Sequence, residues 1–79
     1  MIMTMIELHK NAEKTLEKLP LNQRHRILRA IYKLPQGDVS PLKGRSDFRL
    51  RVGDWRVIWI YQEYGILVTE IGNRGDIYK

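Results

Sequence analysis

Phe48-Arg49-Leu50-Arg51-Val52-Gly53-Asp54-Trp55-Arg56-Val57-Ile58-Trp59 is the stretch on which the fold turns. On both sides of Gly53-Asp54 the pattern repeats every two residues, the spacing of strands with one buried face. Gly-Asp between two such runs reads as a two-residue hairpin loop. Counting outward pairs Val52 with Trp55, Arg51 with Arg56, Leu50 with Val57, Arg49 with Ile58, and Phe48 with Trp59. Cross-strand partners share a sheet face. Phe48, Leu50, Val52, Trp55, Val57 and Trp59 therefore make one apolar face. Arg49, Arg51 and Arg56 gather on the other, with Ile58 and Ile60 among them. Like charges directly opposite one another destabilise a sheet, so Arg51 facing Arg56 invites an anion between them. Phosphate fits, because guanidinium forks match its geometry. Arginines that merely keep an exposed face wet are the plainer account, but the isoleucines between them favour a binding surface.

Upstream of the hairpin the period is helical. Residues 1–8 read as a short first strand, followed by a helix over residues 9–19, with Leu8, Ala12, Leu16 and Leu19 forming one apolar stripe. Pro20 ends that helix or opens the next. Asn22 is the expected cap of a second helix whose buried face is Ile27, Leu28, Ile31 and Leu34. Lys10, Lys14, Arg24 and Arg29 fall on the opposite, solvated faces. The short connection predicts an antiparallel helical hairpin. Pro35-Gln36-Gly37-Asp38 breaks the helical pattern, and residues 35–47 read as a loop. Downstream, Tyr64-Gly65 marks a turn, residues 66–71 a strand, Gly72-Asn73-Arg74-Gly75 another turn, and residues 76–79 a short edge strand. The expected architecture is α+β: an N-terminal helical hairpin on one face of a small, mostly antiparallel sheet, in a single domain over residues 1–79.

Composition narrows the function classes. The chain has 79 residues, 43% hydrophobic and 29% charged, with no cysteine. That is globular composition without a disulfide framework or a thiolate nucleophile. No apolar run approaches a membrane span, and Glu7 interrupts the apolar start too early for a signal-peptide core. A cytoplasmic protein is expected. The net charge of +5 comes from 14 Lys and Arg against 9 Asp and Glu. It is spread over both halves, so an anion-binding surface has to be built by folding; polyanions such as nucleic acid are the natural partners. His9 and His25 lack a third ligand at suitable spacing, so no metal and no cofactor is expected. Asp47 and Asp54 read as turn residues, and Ser40 and Ser46 lack a His–Asp pattern.

Three ordered motifs resemble a known family. They are Leu42-Lys43-Gly44; Phe48-Arg49-Leu50-Arg51-Val52-Gly53-Asp54-Trp55-Arg56; and Gly72-Asn73-Arg74-Gly75-Asp76-Ile77-Tyr78. Together with Leu19-Pro20 between the two helices, they are similar to the RelE/ParE superfamily of bacterial toxins over nearly the whole chain. The resemblance implies one of two activities. RelE-like members cleave mRNA in the ribosomal A site; ParE-like members inhibit DNA gyrase. It also implies a cognate acidic antitoxin as partner, and operator DNA as a ligand only of the toxin–antitoxin complex. Carried over by position, the residues around the scissile phosphate are Arg49, Arg51, Arg56, Arg74 and Tyr78, with Lys43, Arg45, Arg49 and Arg51 binding RNA. ParE-like toxins usually lack this full set, which favours the nuclease; a non-catalytic RNA-binding module is the third possibility.

Two departures bear on mechanism. Arg49 and Arg51 stand where relatives often carry lysine, and Asn73 where many carry histidine. Arginine binds phosphate well but hardly ever accepts a proton. Tyr78 is left as the titratable member of the set, and neighbouring cations would lower a phenol from its ordinary value near 10. The chain ends at Lys79, so the C-terminal helix of some relatives is not expected.

Overall fold

The computed structural model describes residues 5–73. Its elements are β1 (Met5–Leu8), α1 (Lys10–Glu17), α2 (Leu21–Tyr32), β2 (Val39–Pro41), β3 (Phe48–Val52), β4 (Trp55–Gln62) and β5 (Gly65–Asn73). The five strands form one sheet in the order β1-β5-β4-β3-β2. β2, β3, β4 and β5 pair antiparallel in succession, while β1 lies parallel to β5 along the far edge. The helices cover one face, so the expected α+β architecture holds. No helix among the described residues is long and apolar enough to cross a membrane.

The β3–β4 hairpin has all five expected pairs, from Val52–Trp55 to Phe48–Trp59. Gly53 has φ +61 and Asp54 an ordinary negative φ, the pattern of a type II′ turn, whose twist matches its strands. On the helix side, Ala12, Ile31, Val57, Trp59, Ile66 and Val68 are fully buried, with Leu16, Ile27, Leu34, Leu50, Val52 and Ile71 nearly so. Each large side chain taken out of water here contributes about 1.5–3 kcal/mol. Phe48 stacks on Trp59 with ring centroids 4.7 Å apart, and Tyr61 meets both edge-on.

Several local expectations need correction. Asn22 does not cap α2: Pro20 holds the cap position without a side-chain bond, and Asn22 Oδ1 accepts only from the next backbone N–H, of Gln23. His9 caps α1 instead, its Nδ1 accepting from Asn11 N at 3.1 Å. Arg24 is not simply solvated. Its Nη2 donates to the carbonyls of Glu17 and Leu19, at 3.0 and 3.1 Å, so a cation closes the C-terminal end of α1. The stretch 35–47 is not all loop, because β2 pairs with Phe48–Leu50 in register. The β4–β5 turn is Glu63-Tyr64, and Gly65 already belongs to β5. A Cβ at Gly65 would run into the carbonyl oxygen of Met5, which is why β1 can approach so closely there. Gly72 and Asn73 continue β5 rather than turn. The expected strand over residues 76–79 lies outside the described residues.

The main irregularity is in β5. Ile58 pairs with Glu70 but Trp59 with Val68, leaving Thr69 as an extra residue. Thr69 Oγ1 donates to Ile58 O at 3.2 Å and anchors this bulge. The extra residue resets the alternation, so Ile71 faces the helices and Glu70 faces away.

Candidate functional site

The open face of the sheet is organised in rows across the strands. One row runs Ser40–Arg49–Ile58–Glu70 through β2, β3, β4 and β5. The next runs Arg51–Arg56–Gly72. Beyond Ile58, Ile60 pairs with Leu67, which in turn pairs with Glu7. Arg49, Arg51 and Arg56 are thus brought to one face, as the hairpin register requires, with Ile58 between them.

Their surroundings differ. Arg56 is only 8% exposed, and its Nη1 donates to the carbonyls of Gly53 and Trp55, both at 3.2 Å. No carboxylate among the described residues pairs with it. Burying a cation without an anion is costly, and two carbonyl acceptors offset only part of that. Arg51 is exposed, and its Nε donates to Asp38 Oδ2 at 3.0 Å. The expected anion beside Arg51 is therefore already supplied in part by a side chain of this chain, just ahead of β2. Arg51 N also donates to Asp38 O, so backbone and side chain hold the pair together. Arg49 is half-buried and has no hydrogen-bond or ionic partner among the described residues. Ile58 is 2% exposed yet stands apart from the helix-side core, so this face carries a buried apolar centre of its own.

Lys43 and Arg45 do not join the cluster. They lie in the loop before β3, at the opposite end of that strand from Arg51, and Arg45 is tied to Asp47 at 3.0 Å. Arg74 and Tyr78 lie outside the described residues. Sequence reading missed Glu70, which shares a row with Arg49. Strict alternation from Ile66 and Val68 turns Glu70 inward. The one available signal was the order Thr69-Glu70-Ile71, where an apolar residue falls out of phase. Among the described residues, no three His, Cys, Asp or Glu side chains gather where they could hold a metal.

Such a face can bind a phosphodiester. Arg49 and Arg51 present donors, Arg56 supplies a fixed positive field from below, and the buried Ile58 holds the strands beneath them in place. With Glu70 at the far end of the row, a carboxylate lies two strands, about 10 Å, from Arg49.

No protein-family profile and no curated protein sequence matches the chain. Solved structures do. The archaeal RelE–RelB complex from Pyrococcus horikoshii OT3 contains a chain 28% identical, aligned over 94% of this chain and 98% of that one, with a TM-score of 0.75. The RelBE2 toxin–antitoxin complex of Mycobacterium tuberculosis gives 18% identity, coverage of 96% and 97%, and a TM-score of 0.79. The DinJ–YafQ toxin–antitoxin complex of E. coli gives 16% identity, 99% and 100%, and 0.68. The last two speak for the fold alone; the archaeal RelE adds likeness in sequence. Topology, the basic hairpin and these matches together place the chain in the RelE-like toxin superfamily.

Proposed function

We propose that the chain is the toxin of a toxin–antitoxin pair and that its arginine-bearing sheet face binds and cleaves mRNA in the ribosomal A site. The observation that carries this reading is Arg56: a buried guanidinium, with no carboxylate partner among the described residues, directly opposite Arg51. A phosphate seated over that pair relieves both the repulsion and the burial cost.

The reaction needs no group foreign to RNA. The 2′-hydroxyl attacks the adjacent phosphorus, its proton is removed, and the 5′-oxygen leaves with a proton. The products are a 2′,3′-cyclic phosphate and a 5′-hydroxyl end. Arg49, Arg51 and Arg56 stabilise the extra charge of the phosphorane, and holding the attack in line supplies much of the remaining rate. Arg74 and Tyr78 complete the set, with Tyr78 moving protons. The ribosome aligns the mRNA, which a shallow sheet face does poorly alone. An acidic antitoxin is the expected regulator: the chain carries +5, and the similar structures named above are of toxins in complex with antitoxins.

Primer extension on mRNA from cells expressing the chain tests the reading. Discrete cuts within translated frames are expected. Intact mRNA together with loss of plasmid supercoiling in a gyrase assay would put the chain with the gyrase inhibitors instead. Tyr78→Phe separates chemistry from binding: single-turnover cleavage on programmed ribosomes should slow about a hundred- to ten-thousandfold, with ribosome affinity almost unchanged.

A further inference from the structure

Between α2 and the end of β3 lies a groove of about 390 Å³, away from the open sheet face. Arg26 and Arg29 from α2, Lys33 at its C-terminal cap and Arg51 from β3 line it, against a single carboxylate among the described residues, Asp38. Spacing of three and four residues puts Arg26, Arg29 and Lys33 on one side of that helix, and all three are exposed without a hydrogen-bond or ionic partner among the described residues. The floor, Leu50 and Val52, is at most 7% exposed, and the cations stand around it as a rim. Arg26 reaches over the hairpin turn, with its guanidinium nitrogens 3.0 and 3.2 Å from where a Gly53 Cβ would stand. Arg56 contacts the carbonyl of that same Gly53. The turn thus joins the two basic surfaces, and Arg51 borders both. β2 leaves this passage open because it pairs only as far as Leu50.

We infer that the α2–β3 groove is a second phosphate-binding track, taking the sugar–phosphate backbone of the same RNA beyond the segment on the sheet face. This rests on the reading of that face as an RNA site. Charge selects the occupant: the lining sums to +3 and the rim is cationic, which suits a phosphodiester backbone. Asp38 sits at the junction, and its pairing with Arg51 weakens the passage until phosphate competes for the guanidinium.

The test is the salt dependence of binding to a fluorescein-labelled uridine dodecamer. Each phosphate contact to a single strand contributes about 0.7 to the slope of log K against log salt. The triple variant Arg26→Gln, Arg29→Gln, Lys33→Gln should lower that slope by about 2 and weaken binding about tenfold or more at low salt. Should the triple variant fold poorly by circular dichroism, Arg29→Gln and Lys33→Gln singly should each lower it by about 0.7. Arg49→Gln reports separately on the sheet face: an unchanged slope there counts against that face, whatever the groove does. An unchanged slope in the α2 variants overturns the track. So does retained RNA binding with loss of binding to a glutamate dodecamer, which would make the groove a seat for an acidic polypeptide.

Discussion

The two faces of the sheet are built from the same three central strands yet solve opposite problems. The helix-side face is closed: Trp59, Val57, Ile66 and Val68 are fully buried under α1 and α2, and its energy is apolar surface removed from water. On the other face, Ile58 is nearly as buried as those residues, but its row partners are Arg49 and Glu70, and Arg56 is buried without an anion among the described residues. The closed face stabilises; the open face holds charge in positions where charge is costly. Function belongs where the local energetics are unfavourable and the rest of the fold sustains them.

Substitutions on the two faces should therefore divide stability from activity. Trp59→Ala should cost the most stability, about 3–5 kcal/mol in urea unfolding, because it empties the centre of the closed face. A loss below about 1 kcal/mol would mean that the helices do not seat on Trp59. Next is Arg24→Ala, which removes bonds to the carbonyl of Glu17, the last residue of α1, and of Leu19 just beyond it, and should cost about 1–2 kcal/mol, with RNA binding unchanged. Weakened RNA binding without a loss of stability would give Arg24 to the basic surface instead. The smallest effect on stability is expected for Asp38→Asn, since that ion pair is exposed on both sides and such pairs contribute within about 1 kcal/mol. The same change frees Arg51, so uridine dodecamer binding should tighten about two- to fivefold at low salt. Weaker binding would show that Asp38 positions Arg51 rather than occupying it.

What was legible in the sequence was what one local signal settles. Gly53-Asp54 determines the hairpin register, and the register decides which arginines share a face; both followed from residues 48–59 alone. The helical stripe of Ala12, Leu16, Ile27 and Ile31 was equally plain, because a 3.6-residue period over two helices has few competing explanations. Illegible were features made by contacts between distant segments. β2 is three residues ending in Pro41, too short for a period. Asp38 meets Arg51 only because β2 folds back along β3. Arg24 finds carbonyls across a helical corner. Glu70 reaches the open face through a bulge that a strict alternation of two does not contain.

Arg56 is where the two faces come closest to conflict, and it tests the central claim most directly. The measurement is single-turnover cleavage of mRNA on programmed ribosomes by wild type and Arg56→Ala, with urea unfolding of both proteins. Losing a charge-assisted phosphate contact is expected to slow cleavage roughly ten- to a hundredfold, about 1.5–3 kcal/mol, with stability changed by less than about 1 kcal/mol, since the two carbonyl bonds lost are offset by the removal of a buried charge. Cleavage at the full wild-type rate, with the only loss in stability, would contradict it: Arg56 would then be a clip for the hairpin turn, and the open face would have no fixed cation at its centre.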